Sequence, residues 1–379
     1  VFDAIYIVNL HGNSRLKEKT PDGGKDENVF NIQQGVSINI FVKRKEKNAK
    51  APSVFYTELW GLRKEKEDAL ATLHLDAPYW KQLKPLEPNY FFVEKHVASN
   101  QKYYTGFSLS EIFAIYSVGA VAGRDKLTSQ CKKAETEQML QNILSLDIET
   151  FRTISKIGPD SKNWKLQNVQ NDLRRHKEEL IITAIAYRPF DRRIAAYTGA
   201  NAGIFLRPLY KTLGGLLHPS NFALCTTRQV VATSVYQHCF VCKEIVDFSF
   251  VSNRSSEGTM VFPLYKFPEG WDYTPAEIVA GTTKDGKPLD LELNMRPEIL
   301  AKIAEAVGES VTGEEVFDYI YGVLHDKKYC AKFLEFLKID YPRIPYPKDK
   351  AEYQYFLERG EQLRRLHLMD ESLELSIAT

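Results

Sequence analysis

The sequence predicts an α+β protein laid out in successive segments: a strand-rich start, a mixed middle that presents loops, and a helical end. Three observations carry this expectation. Apolar residues stand mostly at alternate places over residues 36–42, after a long polar loop and an earlier strand over 5–10. Short apolar runs separated by polar loops recur between 180 and 265. From 297 onward apolar positions return at helical spacing, with capping signals.

The opening strand is Ile5-Tyr6-Ile7-Val8-Asn9-Leu10. A polar, Gly-rich stretch follows and turns at Gly35 into Val36-Ser37-Ile38-Asn39-Ile40-Phe41-Val42, read as a half-buried strand. Structureless loops of that length are uncommon unless they work. A charged run over 43–50 ends this unit, and Ser53 to Trp60 reads as a further strand. Residues 64–75 mix charges with apolar positions at helical spacing, as a short surface helix does. Pro85, Pro88 and Tyr90-Phe91-Phe92 mark an irregular connection. The first segment is therefore 1–60 and the connection 61–107.

Ser108 precedes an apolar helix start and is an N-cap candidate. Residues 119–126 form a small-residue strand or turn that ends in charges, and 133–180 carry helical periodicity. A buried strand over 180–187 runs into Arg188-Pro189-Phe190-Asp191-Arg192-Arg193, where Arg188 and Asp191 flank a turn and are placed to pair with each other. Short strands follow at 222–225, 230–231, 240–242 and 261–265, which closes a mixed domain over 108–266. A Pro- and Gly-containing linker leads to helices over 297–340, where Thr312 and Glu315 have capping-box spacing. Prolines over 341–347 break the pattern, and an amphipathic helix spans 350–369, so 267–379 is a linker and helical C-terminal region.

Fifty basic and forty-nine acidic residues give a net charge of +1, so a surface for nucleic acid has to come from local segregation of charge. Five scattered cysteines suggest a reducing cytosol, and no apolar run reaches membrane length. The first residue, Val1, stands almost inside a strand, as expected of a piece of a longer protein. Gly281 to Pro288 approaches a phosphate-loop pattern, but proline follows Lys287 where a magnesium-binding hydroxyl is needed; it reads as a turn. Cys239 and Cys242 lack a second ligand pair and read as buried strand cysteines, with no metal site implied.

Leu10-His11-Gly12-Asn13, Asp26-Glu27-Asn28-Val29-Phe30 and Gln34-Gly35-Val36 resemble the stretch after the catalytic motif of adenine-specific DNA methyltransferases. Among these the likeness is to the Type ISP and Type IIG restriction-modification enzymes. It continues through Gly123-Arg124-Asp125-Lys126-Leu127, Asn221-Phe222-Ala223-Leu224, Phe262-Pro263-Leu264-Tyr265 and Asp340-Tyr341-Pro342-Arg343-Ile344-Pro345. The resemblance implies the terminal strands of a Rossmann-like methyltransferase sheet, then a mixed α/β target recognition domain and a helical C-terminal region. It also implies a parent protein that transfers methyl from S-adenosylmethionine to an adenine amino group.

Enzymes acting on that group extrude the base and hold it. Phe30 stands where the family stacks an aromatic on the flipped adenine, although a lone Phe also serves as a core cap. Asp26 and Asn28 fix the loop. The Asn/Asp-Pro-Pro-Tyr/Phe motif and the Gly-rich cofactor motif are both missing from the sequence. The chain alone is therefore expected to be inactive and to hold no cofactor, with catalytic, motor or nuclease domains supplied by the same polypeptide.

In the resembled family the middle region reads duplex DNA, where Arg grips guanine and Asn or Gln grips adenine by paired hydrogen bonds. Base-contact candidates are Thr226, Thr227, Arg228 and Gln229, then Ser252, Asn253, Arg254 and Ser255. Phosphate candidates are Arg124, Lys126, Arg192, Arg193, Arg207 and Lys211; Arg343, displayed between prolines, suits phosphate or an acidic partner. The competing class is a protein-interaction or scaffold module without DNA affinity, which neutral charge and abundant aromatics favour. A free-standing hydrolase lacks a nucleophile elbow.

Overall fold

The computed structural model describes residues 2–44, 53–85, 87, 90–93, 102–230, 235–254 and 257–370. Most of the charged run over 43–50, and Ser255, lie outside the described residues. The chain divides into two compact units, Val1–Asn100 and Gln101–Thr379, so the expected line at 266 falls inside the second.

The first unit is a four-stranded sheet of β1 (Ala4–Asn9), β2 (Ser37–Val42), β3 (Ser53–Glu58) and β4 (Lys81–Leu83), in the order β2-β1-β3-β4. β1 pairs antiparallel with β2 and parallel with β3. Ile5, Ile7, Val54 and Tyr56 form its core, and the helix Arg63–Ala71 follows β3. β2 departs from the half-buried strand expected. It is an edge strand, with Ile38 39% and Phe41 52% exposed, and Phe41 packs on Phe2 at 5.0 Å. Alternation marks an apolar face but does not say whether anything covers it.

The strands of the second unit are β5 (Phe107–Ser108), β6 (Ser117–Val118), β7 (Val121–Ala122), β8 (Ile181–Arg188), β9 (Asp191–Tyr197) and β10 (Phe205–Arg207). They continue as β11 (Ala223–Thr227), β12 (Cys239–Cys242), β13 (Ile245–Val246), β14 (Thr259–Pro263), β15 (Tyr265–Lys266), β16 (Glu292–Leu293) and β17 (Arg343–Ile344). A four-stranded antiparallel sheet has the order β12-β11-β14-β6, and a three-stranded sheet the order β13-β8-β9. Helices over 125–175 cover the three-stranded sheet and share one core with it, from Leu127, Ile143, Phe151, Trp164 and Val169 to Ile185 and Tyr197.

Both capping signals read from sequence are real. Ser108 Oγ accepts from Ser110 N while Glu111 accepts from Ser108 N, and Thr312 and Glu315 form the reciprocal pair. The Gly281–Pro288 stretch is a turn closed by a bridge between Thr282 and Pro288, and Cys239 and Cys242 are buried in β12.

The C-terminal helices Gly313–His325 and Lys350–His367 cross backbone to backbone at Gly322 and Gly360. A Cβ on Gly360 would stand 1.8 Å from the Asp318 carbonyl oxygen. Arg364 closes the crossing with a paired bond to the Asp318 carboxylate, at 2.6 and 2.8 Å. β17 pairs with β5, which ties this helical end to the start of the unit. Among the described residues no helix is long and apolar enough to cross a membrane.

Candidate nucleic-acid interface

In the first unit the long polar loop is built around a buried ion pair. Lys66, on the helix Arg63–Ala71, is fully buried, and its Nζ reaches Asp26 Oδ1, Leu10 O and Glu27 O, each at 2.7 Å. The Asp26 carboxylate also accepts from Gly12 N at 2.6 Å and Gly61 N at 2.9 Å. Asn28 Nδ2 donates to Gly12 O and Gln34 O, and its Oδ1 accepts from Phe30 N at 2.8 Å. Arg63 donates to the Asn28 and Phe30 carbonyls and to Asn31 Oδ1. Asp26, Asn28, Lys66 and Arg63 thereby hold the loop's backbone, and Phe30 is left 57% exposed. The ring is displayed by a rigid support and does not cap a core.

His11 completes this support. It stacks on Trp60 at 3.3 Å between centroids and bonds to Glu18 and Glu58. Burial pushes the Glu58 carboxyl up, but bonds from Tyr56 and His11 outweigh it and hold the group below its ordinary range. Sequence reading missed Lys66 and Arg63, and it marked His11 only as part of a family-like motif with no role of its own. A lysine inside Arg63-Lys64-Glu65-Lys66-Glu67 carries no local mark that separates it from its solvated neighbours.

In the second unit the two candidate loops flank the same end of one sheet. Thr227, at the end of β11, pairs with Thr259, at the start of β14, and Thr226 pairs with Cys239, at the start of β12. Arg228 and Gln229 therefore leave the sheet at the end where Asn253 and Arg254 enter it, and all four are exposed. His238 is at the same end. Burial pushes its imidazole below the ordinary value, Glu257 opposes this, and Arg254 adds to it. The ring is neutral near pH 7, able to donate or accept without charge. Arg228 bonds Asp340 at 3.0 Å with both side chains more than half exposed, a pair that water or a partner competes with easily.

Thr226 and Thr227 are corrected. Both are fully buried inside β11, and Thr226 bonds the Tyr236 hydroxyl at 2.8 Å, so neither presents a side chain to a partner. Arg188 and Asp191 do not pair with each other. Arg188 reaches the buried Asp247 at 2.9 Å, and Asp191 binds Arg193. Burial raises the Asp247 carboxyl and Arg188 counteracts it; a buried carboxylate claims the nearest guanidinium. Arg343 is engaged internally, with the Glu111 carboxylate and Gly106 O.

The phosphate candidates divide by how they are held. Arg124 lies over Trp164 and donates to Pro159 O, and Lys126 caps Lys156 O. Lys211 donates to Trp271 O. Arg193 is tied to Asp191, and Arg192 to Glu244 at 2.8 Å with half its side chain exposed. Arg207 is exposed at the end of β10, and its register partner Val121 puts it near Arg124.

A mixed α/β framework that gathers polar loop tips at one sheet end has the architecture of a domain that recognises its partner through loops. The chain belongs to the Type ISP C-terminal specificity domain family, whose model matches residues 111–378. Its fold is similar to the DrdV–DNA complex solved by cryo-electron microscopy, with TM-score 0.59 and 18% identity over 98% of this chain and 36% of that one. It is also similar to the ATP-dependent Type ISP restriction-modification enzyme LlaBIII bound to DNA, with TM-score 0.60 and 20% identity over 98% and 24%. A third likeness is to a nuclease-deletion mutant of the Type ISP enzyme LlaGI in complex with a DNA substrate mimic, with TM-score 0.55 and 19% identity over 98% and 28%. The chain thus spans 24–36% of the length of these proteins. No curated protein sequence matches it.

Proposed function

We propose that this chain is the sequence-reading portion of a restriction-modification adenine methyltransferase. The second unit binds duplex DNA, with Arg228, Gln229, Asn253 and Arg254 at base edges and the surrounding lysines and arginines on phosphates. The observation that carries this reading is that residues 228–229 leave β11, and residues 253–254 precede β14, at the same end of the β12-β11-β14-β6 sheet. Three proteins of similar fold were solved in complex with DNA or a DNA substrate mimic, which supports it.

In the first unit, the exposed Phe30 on its clamped loop forms one wall of the pocket for a flipped adenine. The parallel β1–β3 pair and the uncovered apolar side chains on β2 support reading this sheet as the end of a Rossmann-like methyltransferase sheet. S-adenosylmethionine does not fit the residues present. The two described steps from strand to helix in this unit, 9–14 and 58–63, hold a single glycine each, Gly12 and Gly61, and both N–H groups are already given to Asp26. Methyl transfer belongs to the catalytic domains of the parent polypeptide, which are this chain's other partners.

The test is selection from a randomised duplex pool at two salt concentrations. Enrichment of one short adenine-containing motif is expected, with affinity falling steeply as salt displaces phosphate contacts. Salt-sensitive binding without enrichment would place specificity outside this chain. No binding at either salt would favour a protein-interaction module.

A further inference from the structure

Phe190 occupies a position where a bulky residue is costly. It is the third residue of the Arg188-Pro189-Phe190-Asp191 turn between β8 and β9, with φ at +64°. Proline second and a left-handed third residue is the pattern of a turn that ordinarily carries glycine or asparagine there. A large side chain in this conformation is an outlier, and outliers of this kind gather at functional sites. Packing does not explain the choice, because Phe190 is 60% exposed. Its ring neighbours, His367 at 5.7 Å and Phe240 at 6.5 Å, meet it in T-shaped contacts, and among the described residues none of its ring contacts is a parallel stack.

The ring stands at a cleft of about 490 Å³, a volume that suits a small ligand. Val241, Phe250 and Leu368 give it apolar lining, and Arg192, Lys243 and Arg365 line it with cations. Arg192 is half exposed although its partner Glu244 is mostly buried, Arg365 is about one-third exposed beside Asp370, and Lys243 is exposed, so each cation still presents a face to an incoming phosphate. A flat apolar group carrying an anion matches this combination.

We propose that Phe190 is a stacking platform for an unpaired nucleobase whose phosphate is held by Arg192 and Lys243. The proposal rests on the reading of this domain as a DNA binder. Only a base out of its helical stack offers a free face, so the ligand is a single-stranded segment or a base displaced from the bound duplex. Aromatic stacking of this kind accepts any base and adds affinity without reading sequence.

The experiment uses the full chain, with 2-aminopurine in a single-stranded oligonucleotide and opposite a mismatch in a duplex. A matched duplex is the reference. Wild type should quench the fluorophore, and Phe190→Gly should weaken that binding by about tenfold or more. Phe190→Trp should restore it. Glycine suits the left-handed backbone, so the variant's melting curve should stay close to wild type. Quenching by the single strand assigns a single-stranded ligand; quenching only in the mismatched duplex assigns a displaced base. Equal quenching by wild type and Phe190→Gly overturns the proposal, as does matched-duplex binding with no quenching of either probe. Binding of neither strand form overturns the DNA reading itself.

Discussion

Lys66→Met tests whether the buried ion pair is what holds the Phe30 loop. Methionine fills the space of the lysine stem but removes all three Nζ contacts, leaving the Leu10 and Glu27 carbonyls without that donor and the buried Asp26 carboxylate without its cation. Breaking a fully buried pair on one side costs about 3–5 kcal/mol. Asp26 keeps the Gly12 and Gly61 amides, which puts the expected loss near the lower limit, about 3 kcal/mol. Hydrogen exchange read by mass spectrometry over residues 10–36, with urea unfolding of the same segment, isolates the first unit from the second. The control is Lys64→Met on the same helix, whose pair with Asp68 is exposed on both sides and whose loss should be close to neutral. If Lys66→Met lost less than about 1 kcal/mol and exchange over 10–36 were unchanged, the loop would be held by something other than this pair. In a catalytically complete parent, the same substitution should weaken adenine extrusion although Phe30 is intact.

Other expected outcomes are as specific. Phe30→Ala should change stability by no more than about 0.5 kcal/mol, because the ring is mostly exposed, yet reduce the signal of a fluorescent base at the target adenine. Arg228→Ala or Arg254→Ala should cost about 1–3 kcal/mol at one base pair of the selected site; a uniform loss across sequences would reassign that residue to phosphate. Gly360→Ala should destabilise the second unit by about 3 kcal/mol in urea, since its Cβ meets backbone on the facing helix. Burial holds His325 and His367 below the ordinary 6.5, so the unfolded chain takes up protons first. Their contribution to stability is complete above 6.5 and is lost as pH falls through the native values; His325→Gln should flatten that fall in a series of melting curves.

Much of the fold was legible because its signals are local. The capping pairs at Ser108–Glu111 and Thr312–Glu315, the strands at 4–9 and 181–188, and the turn at 281–288 each follow from residues within a few positions of one another. The loop 26–34 could be marked from its length and its resemblance to the family motif, and the polar segments at 228–229 and 252–254 from their place between strands.

Contacts between distant residues were decided by the tertiary structure. Lys66 became the anchor of a loop some forty residues earlier, while Lys64, two positions away, stayed in water. β11 is a central strand buried at every position, so Thr226 and Thr227 are both enclosed although they face opposite sides, and the chain surfaced only at Arg228. Asp247 took Arg188 away from Asp191 because a carboxylate out of water needs a cation more than an exposed one does. Pattern and capping are written in neighbouring residues, so the sequence alone determined the elements and the family. Which charged groups are spent on the fold, and which are left for a partner, depends on burial and pairing across the whole chain, and that only the folded structure decides.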